Sequence, residues 1–176
     1  MIAPDYQLSA SACLETLTRV GFDHIVTVPD WVQLALHTRL EAGANGITLI
    51  ATCNENQGVT VAAGLTISGK TPLVMIQNQG FYNCVNTLRA IGLDAHIPTV
   101  LMIGQFGREY ANIGQEPSQS RRNMVRLLEP VLDTLKIRHW RLDSPVDLAR
   151  VHEALAHSRN ERAISALLVG APIAWS

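Results

Sequence analysis

The sequence of 176 residues is poor in charge. Aspartate, glutamate, lysine and arginine together make up 16% of it, where about 25% is usual for a soluble globular domain. Apolar residues make up 47%, and the mean hydropathy is +0.12. This composition excludes an intrinsically disordered chain. It also predicts that part of the surface is apolar and is covered by a partner.

Cysteine is scarce as well, and long apolar runs are missing. Cys13, Cys53 and Cys84 are odd in number and widely spaced, which argues against a disulfide framework and against a zinc site. Fourteen basic and fifteen acidic residues, without a basic stripe, argue against nucleic acid as a partner. No apolar run reaches the roughly 20 residues of a membrane span, and the N-terminus lacks the pattern of a signal peptide. We therefore expect a soluble, cytoplasmic protein without a metal ligand set.

Short apolar segments typical of buried strands alternate with segments of helical periodicity. This order predicts an α/β fold, a single doubly wound domain over 1–176 with a mostly parallel six-stranded sheet and helices on both faces. Residues 105–119 form a long irregular segment, which in a compact α/β domain is usually functional. The predicted strands are 24–28, 47–51, 72–77, 97–104, 136–140 and 164–170. The predicted helices are 8–20, 31–40, 54–68, 81–93, 118–135 and 145–158.

Two helix starts carry recognisable caps. Asp30, followed three residues later by Gln33, has the spacing of a capping box. Ser144 stands before Pro145, with Asp147 in the first turn, and supplies an N-cap with a proline at the first helical position. These signals predict that a helix begins at each place.

One motif match fails on its context. Residues 64–71 fit the phosphate-binding pattern GxxxxGK[ST], but that loop needs a strand before its glycines and a helix after them. Here a predicted helix precedes the glycines and a predicted strand follows them. We therefore interpret the segment as a helix C-terminus with Gly69 just beyond it. The GxGxxG fingerprint of dinucleotide-binding folds is absent.

Polar residues follow two of the predicted strands. Glu55 comes just after strand 47–51 and opens a helix, and Asn78 and Gly80 follow strand 72–77. An acid at a helix start and an asparagine in a turn are also ordinary structural features. Since the carboxyl ends of parallel strands meet at one edge, where open α/β sheets bind ligands, the repetition predicts a site there.

In their order along the chain, these segments resemble the pyrimidine-binding domain of thiamine diphosphate enzymes. The likeness covers residues 8–169 and is nearest to the α subunit of sulfopyruvate decarboxylase and the matching half of phosphonopyruvate decarboxylase. The segments that carry it are Val28-Pro29-Asp30, Glu55 with the later Ala62-Ala63-Gly64, Gln77-Asn78-x-Gly80 with Asn83 and Asn86, and Ile97-Pro98 before a strand that ends in glycine.

The resemblance implies thiamine diphosphate as cofactor and decarboxylation of a 2-oxo acid as reaction. Glu55 matches the glutamate that bonds N1′ of the aminopyrimidine and drives it to the imino tautomer. Asp30 matches an acid that faces the reacting centre, a helix cap being the alternative. Asn78, Gly80 and Phe81 match the lining of the pyrimidine pocket. Two alternatives are a carboligase subunit similar to acetolactate synthase and a noncatalytic regulatory protein that binds the cofactor.

The resemblance also implies a partner chain. In this family a second domain holds the diphosphate and Mg²⁺ through a Gly-Asp-Gly segment, and that segment is absent from this sequence. We therefore expect an α subunit of a hetero-oligomer whose β subunit carries the diphosphate-binding domain with its Mg²⁺. The low charge fits this expectation, with residues 59–64 and the surroundings of Glu55 buried against the β subunit.

The segment expected to meet the substrate departs from these relatives. They have a histidine in a Glu-Pro-Gln-His motif, whereas 116–120 here is Glu-Pro-Ser-Gln-Ser. The missing histidine argues against sulfopyruvate and phosphonopyruvate and leaves room for an aromatic or aliphatic 2-oxo acid. Arg108 and Arg121, with Arg122, are expected to pair with an anionic tail of the substrate, a solvated helix face being the alternative for one of the last two. His96 is a further substrate candidate, with a structural role as its alternative.

Overall fold

The computed structural model describes residues 4–43 and 46–176. Within them six strands form one sheet in the order β2-β1-β3-β4-β6-β5, and each neighbouring pair is parallel. This confirms the predicted α/β class and parallel sheet. The strands are β1 (His24–Thr27), β2 (Thr48–Ala51), β3 (Pro72–Gln77), β4 (Thr99–Gly104), β5 (Arg138–Leu142) and β6 (Ile164–Val169).

Helices connect the strands and cover both faces of the sheet. The α-helices are α1 (Ala10–Val20), α2 (Leu34–Glu41), α3 (Glu55–Ile67), α4 (Asn78–Asn83), α5 (Val85–Leu88), α6 (Asn123–Arg126), α7 (Leu128–Thr134) and α8 (Arg150–Glu161). A π-helical turn, Arg89–Asp94, follows α5. Short 3₁₀ turns are Pro4–Tyr6, Tyr110–Asn112, Pro117–Gln119 and Pro145–Ala149. None of the helices in the described ranges is both long and apolar enough to cross a membrane.

Two separate apolar clusters hold the layers together. Leucines of α1, α2 and α8 pack on one face of the sheet, and α3, α4, α5 and α7 pack on the other. The connection through α2 leads from β1 outward to β2 and packs on one face of the sheet, whereas the connection through α3 leads back past β1 to β3 on the other face. The direction of the connections therefore changes between β1 and β3. That is the switch point at which a doubly wound sheet opens a crevice beyond its carboxyl ends.

The predicted helix 118–135 is wrong in its extent. Residues 120–122 are not helical, because the Ser120 hydroxyl donates to Glu109 Oε2 at 2.7 Å and accepts from Arg122 N at 3.1 Å. Such local side-chain bonds compete with the helical hydrogen bonds. A new helix, α7, starts at Leu128, and its Pro130 lies in the first turn, where proline is tolerated.

The two cap predictions have opposite outcomes. At Ser144 the capping box is present, with Asp147 Oδ2 accepting from Ser144 N at 2.9 Å. At Asp30 it is wrong, since α2 begins only at Leu34 and the Asp30 carboxyl binds Val32 N and the Gln33 side chain instead. The interpretation of residues 64–71 as a helix end is confirmed, since α3 ends at Ile67 and Gly69, two residues on, has φ +82°.

Candidate active site

Glu55 is the first residue of α3, at the carboxyl end of β2. Its helix is capped by Asn54, whose Oδ1 accepts from Gln57 N at 3.0 Å, and the Gln57 side chain accepts in turn from Cys53 N at 2.9 Å. This turn fixes where α3 starts. The Glu55 side chain is half-buried, and a carboxylate in the first turn of a helix is favoured by the helix dipole.

Gly80 of α4 lies directly against the Glu55 side chain. A Cβ atom at Gly80 would overlap the Glu55 carboxyl group, so a residue without a side chain is required for this approach. Asn83 Nδ2 is 3.4 Å from Glu55 Oε2 and provides a weak donor. Among the described residues Oε1 has no hydrogen-bond partner, which leaves one carboxyl oxygen for a ligand.

Asn78 and Phe81 form the base beneath Gly80. Both are fully buried. Asn78 Nδ2 donates to the carbonyl oxygens of Phe106 and Met124, each at 3.0 Å, and so joins the two ends of the segment that follows β4. Phe81 packs in the apolar cluster under α3. Their expected contact with a cofactor is untested and stays a prediction.

Asp30 lies inside the same edge of the sheet and is 1% exposed. Its Oδ1 accepts from Val32 N at 3.0 Å and Gln77 Nε2 at 3.1 Å, and its Oδ2 accepts from Gln33 Nε2 at 2.9 Å. Burial raises the pKa of Asp30, and these hydrogen bonds oppose the rise. Gly104 makes room for the carboxyl, since a Cβ there would overlap Asp30 Oδ2.

The sequence pattern missed the roles of two glutamines. Gln33 is fully buried, and its Nε2 also lies 3.0 Å from Ile76 O and 3.3 Å from Met102 O. Gln77 is the last residue of β3 and is partly exposed. The only sequence feature that could have pointed to these glutamines is their position. Gln77 ends a strand at the ligand-binding edge, and Gln33 stands three residues after Asp30.

Arg108 is used within the fold. Its guanidinium donates to the side chains of Gln105, Asn112 and Asp143 and to two carbonyl oxygens, so all five N–H groups have partners. The ion pair with Asp143 measures 2.9 Å, and the Arg108 side chain is 1% exposed. Because its donors are occupied, pairing with a substrate stays a prediction that requires one of these bonds to break.

The other two substrate candidates lie apart from each other. Arg121 is exposed, and its guanidinium has no partner among the described residues; it lines a shallow cavity of about 310 Å³ with Glu109. His96 is exposed in the turn before β4, at the opposite edge of the sheet from Glu55, with φ +52°. The structure therefore gathers Glu55 and Gly80 above Asn78, with Asp30 inside the same edge, and leaves His96 outside.

Cys84 is the buried thiol next to this cluster. It is fully buried and donates to Phe81 O at 3.4 Å. Burial, with a smaller contribution from the charge of Glu55, raises the pKa of Cys84 to about 12. The thiol therefore stays protonated and acts here as a packing group.

A profile of the family described as "Thiamine pyrophosphate enzyme, N-terminal TPP binding domain" matches residues 9–126. Since this is more than half of the chain, the chain belongs to that family, as the resemblance indicated. The α/β fold is that of a domain of this class.

Two similar proteins are both sulfopyruvate decarboxylase subunit alpha. The one from Methanothermobacter thermautotrophicus is 31% identical over 101 residues, 57% of this chain and 61% of that protein. The one from Methanocaldococcus jannaschii is 28% identical over 134 residues, 76% of each chain. The first match thus spans less than two thirds of the relative's own length.

Proposed function

We propose that this chain is the α subunit of a two-chain, thiamine diphosphate-dependent 2-oxo acid decarboxylase similar to sulfopyruvate decarboxylase. The observation that carries the proposal is the placement of Glu55 in a chain of this family. Its carboxyl stands at the switch point of the sheet, against Gly80, with one oxygen free of partners among the described residues. The two relatives are α subunits by name, which supports a partner chain here as well.

The residues at this edge fit the aminopyrimidine end of the cofactor. Glu55 offers a carboxyl oxygen for one ring nitrogen, and its side chain fills the space beside Gly80 that a Cβ there would take. Asn78 and Phe81, both buried, hold α4 from beneath. In the proposal Glu55 and Gly80 contact the ring, and Asn78 and Phe81 position them.

Thiamine diphosphate, when bound, supplies the nucleophilic carbon for the keto group of the substrate and takes up the electron pair left by carbon dioxide. When the cofactor is bound, Glu55 would share a proton between one carboxyl oxygen and a nitrogen of the pyrimidine ring. Asn83, at 3.4 Å from the other oxygen, restrains the carboxyl orientation. A partner that covers the half-buried carboxyl excludes water from this hydrogen bond and strengthens it.

The β subunit supplies what this sequence lacks, a Gly-Asp-Gly segment for the diphosphate and Mg²⁺. Its docking surface on this chain is the exposed side of α3 and the neighbouring loops. Val59, Ala62 and Ala63 of α3 are buried in this chain's own core, so the expectation that residues 59–64 are buried against the β subunit is wrong for these three. Trp31, next to Asp30, is 66% exposed. Apolar area of this kind at the mouth of a site supports burial by a partner.

For the substrate we propose a 2-oxo acid whose anionic group pairs with Arg121, since Arg121 is exposed and Arg108 has no free donor. A 2-oxo acid with an uncharged side chain would not need the contact with Arg121. The panel of substrates therefore includes sulfopyruvate, phosphonopyruvate, and aliphatic and aromatic 2-oxo acids.

The test is the assembled enzyme, made by coexpression with a β subunit that contains Gly-Asp-Gly and assayed for carbon dioxide and aldehyde. Glu55→Gln should lower turnover by at least about 100-fold while the cofactor stays bound, because the amide holds no acidic proton. Glu15→Gln, on the exposed side of α1, is the matched control and should leave turnover unchanged. Turnover within threefold of wild type in Glu55→Gln would refute the proposal. A hydroxyketone product in place of the aldehyde would identify a carboligase.

A further inference from the structure

Asp30 is buried, and only one residue that donates a hydrogen bond to its carboxyl is partly exposed to solvent. Its three hydrogen-bond donors are Val32 N, Gln33 Nε2 and Gln77 Nε2. Val32 is 3% exposed and Gln33 fully buried, whereas Gln77 is partly exposed. Gln77 also ends β3 just before α4, the helix that carries Gly80. The Gln77 amide therefore stands between the buried carboxyl and the edge of the sheet where Glu55 lies.

An ionised Asp30 fixes which way this amide faces. A carboxylate only accepts hydrogen bonds, so it binds the NH₂ group of Gln77 and repels its carbonyl oxygen. Since the amide is planar, holding Nε2 at 3.1 Å from Asp30 Oδ1 turns Gln77 Oε1 away from Asp30. Gln77 Oε1 accepts no hydrogen bond within the described residues, and it is not one of the buried polar atoms that lack a partner. It is therefore an acceptor open to solvent.

The carboxyl itself is held from the interior. Gln33 Nε2 donates to Asp30 Oδ2 at 2.9 Å and lies near carbonyl oxygens of β3 and β4, which ties it to the sheet. Gly104 closes the space on the other side of Oδ2. The groups that face the carboxyl from the α2 turn, β3 and β4 are amides and backbone, and no charged side chain of the described residues is hydrogen-bonded or ion-paired to it. The three donors stabilise the ionised form, and burial outweighs them and leaves the pKa of the carboxyl above its usual value.

We propose that Asp30 is a positioning residue for Gln77, and that Gln77 Oε1 is an acceptor which this site presents to an N–H or O–H group of cofactor or substrate. The identity of the ligand rests on the proposed function, whereas the Asp30–Gln77 contact does not. While Asp30 is ionised the site selects a donor at this point and repels a carboxylate. Protonation of Asp30 supplies an O–H that competes for Gln77 Oε1 and allows the amide to turn over.

The first experiment uses the wild-type full chain, labelled with ¹⁵N and ¹³C, and follows the Asp30 carboxyl carbon and the Gln77 side-chain amide by NMR over pH. We expect Asp30 to be ionised at pH 7 and the Gln77 amide signals to shift with the same midpoint as the Asp30 carbon. The Gln7 amide is the internal control, because it donates to the carbonyl of Pro172 at 3.1 Å and should not show that midpoint. A protonated Asp30 at pH 7, or a Gln77 amide without the shared midpoint, overturns the proposal.

The second experiment is a double-mutant cycle in the assembled enzyme. Gln77→Met removes the acceptor at similar volume and should lower kcat/KM about 10-fold, the value of one hydrogen bond. Asp30→Asn should lower it comparably in wild type but less than twofold in the Gln77→Met background, because the same contact is already lost. If the fold-changes in kcat/KM of the two single variants multiply in the double variant, Asp30 acts on the ligand independently of Gln77, and the proposal is overturned. The NMR experiment does not depend on decarboxylase activity. A failure of the proposed function can therefore be distinguished from a failure of the Asp30–Gln77 proposal.

Discussion

Replacing Gly80 by alanine separates the positioning of Glu55 from the stability of the fold. Gly80 lies within α4 and has an ordinary negative φ, so alanine suits its backbone. A Cβ at this position would overlap the Cγ, Cδ and Oε1 atoms of Glu55. Since Glu55 is half-buried at the start of α3, its side chain turns away towards solvent rather than forcing the two helices apart.

The expected magnitudes differ for stability and for turnover. Alanine in place of glycine stabilises a helix by about 1 kcal/mol, and moving Glu55 off its rotamer costs about 0.5–1.5 kcal/mol. The free energy of unfolding should therefore stay within about 1 kcal/mol of wild type. A catalytic group displaced by about 1 Å loses about 100-fold in rate, so turnover of the assembled enzyme should fall by that factor or more.

Urea unfolding of the isolated chain and carbon dioxide release by the assembled enzyme measure the two quantities. Gly64→Ala is the stability control, because Gly64 lies exposed in α3 and a Cβ there meets no atom within 4 Å. It should stabilise the isolated chain by up to about 1 kcal/mol. A folded Gly80→Ala enzyme with wild-type turnover would show that the Glu55 orientation set by Gly80 is not required, and would refute the reasoning.

Two further predictions concern the segment after β4 and the thiols. Arg108→Met leaves Asp143 and two carbonyl oxygens without their donor, so urea unfolding should show a loss of about 3–5 kcal/mol, while Arg121→Met, at an exposed guanidinium, should change stability by less than about 0.5 kcal/mol. An equal loss of stability in the two variants would contradict the structural role of the Arg108 hydrogen bonds. Because burial raises the pKa of Cys84 to about 12, a disulfide reagent at pH 8 should modify the exposed Cys53 rapidly and leave Cys84 intact until urea is added; fast modification of Cys84 would contradict its burial.

The centre of the sheet was predictable because its strands are buried on both faces and so are apolar at consecutive positions, whereas the edge strands β2 and β5 are partly exposed. All six residues of β4 and of β6 are buried, and both strands stand out in the sequence. The helix after the irregular segment was not predictable in extent, because its leucines, from Leu127 to Leu135, all lie after the break and do not locate it. The break depends on Ser120, whose hydroxyl bonds Glu109, eleven residues earlier in the chain. Periodicity contains no information about such a bond.

At the site, the resemblance singled out Glu55, since by position alone an acid at a helix start is an ordinary feature. The hydrogen bonds that each polar side chain makes could not be predicted from the sequence. Arg108 looks like an anion-binding residue until its five donors are followed to their acceptors. Asp30 looks like an exposed cap until Gln33 is found bonded to it beneath the sheet edge. Both roles depend on residues that the fold, not the spacing, brings together.

The low charge of the chain leaves apolar surface beside the site. Among the described residues, four large apolar side chains that remain exposed lie in segments that follow the carboxyl ends of strands: Trp31, Phe106, Tyr110 and Val146. Glu55 and Gln77 lie at the same edge. The other exposed large apolar side chains in the described ranges are Tyr6, Ile67, Leu127 and Trp175, and Ile67 lies at the end of α3 away from Glu55, so such groups are not confined to this edge. Under the proposed function, a partner that docks over Trp31 at this edge also covers the Glu55 carboxyl, so docking and exclusion of water from the site are the same event.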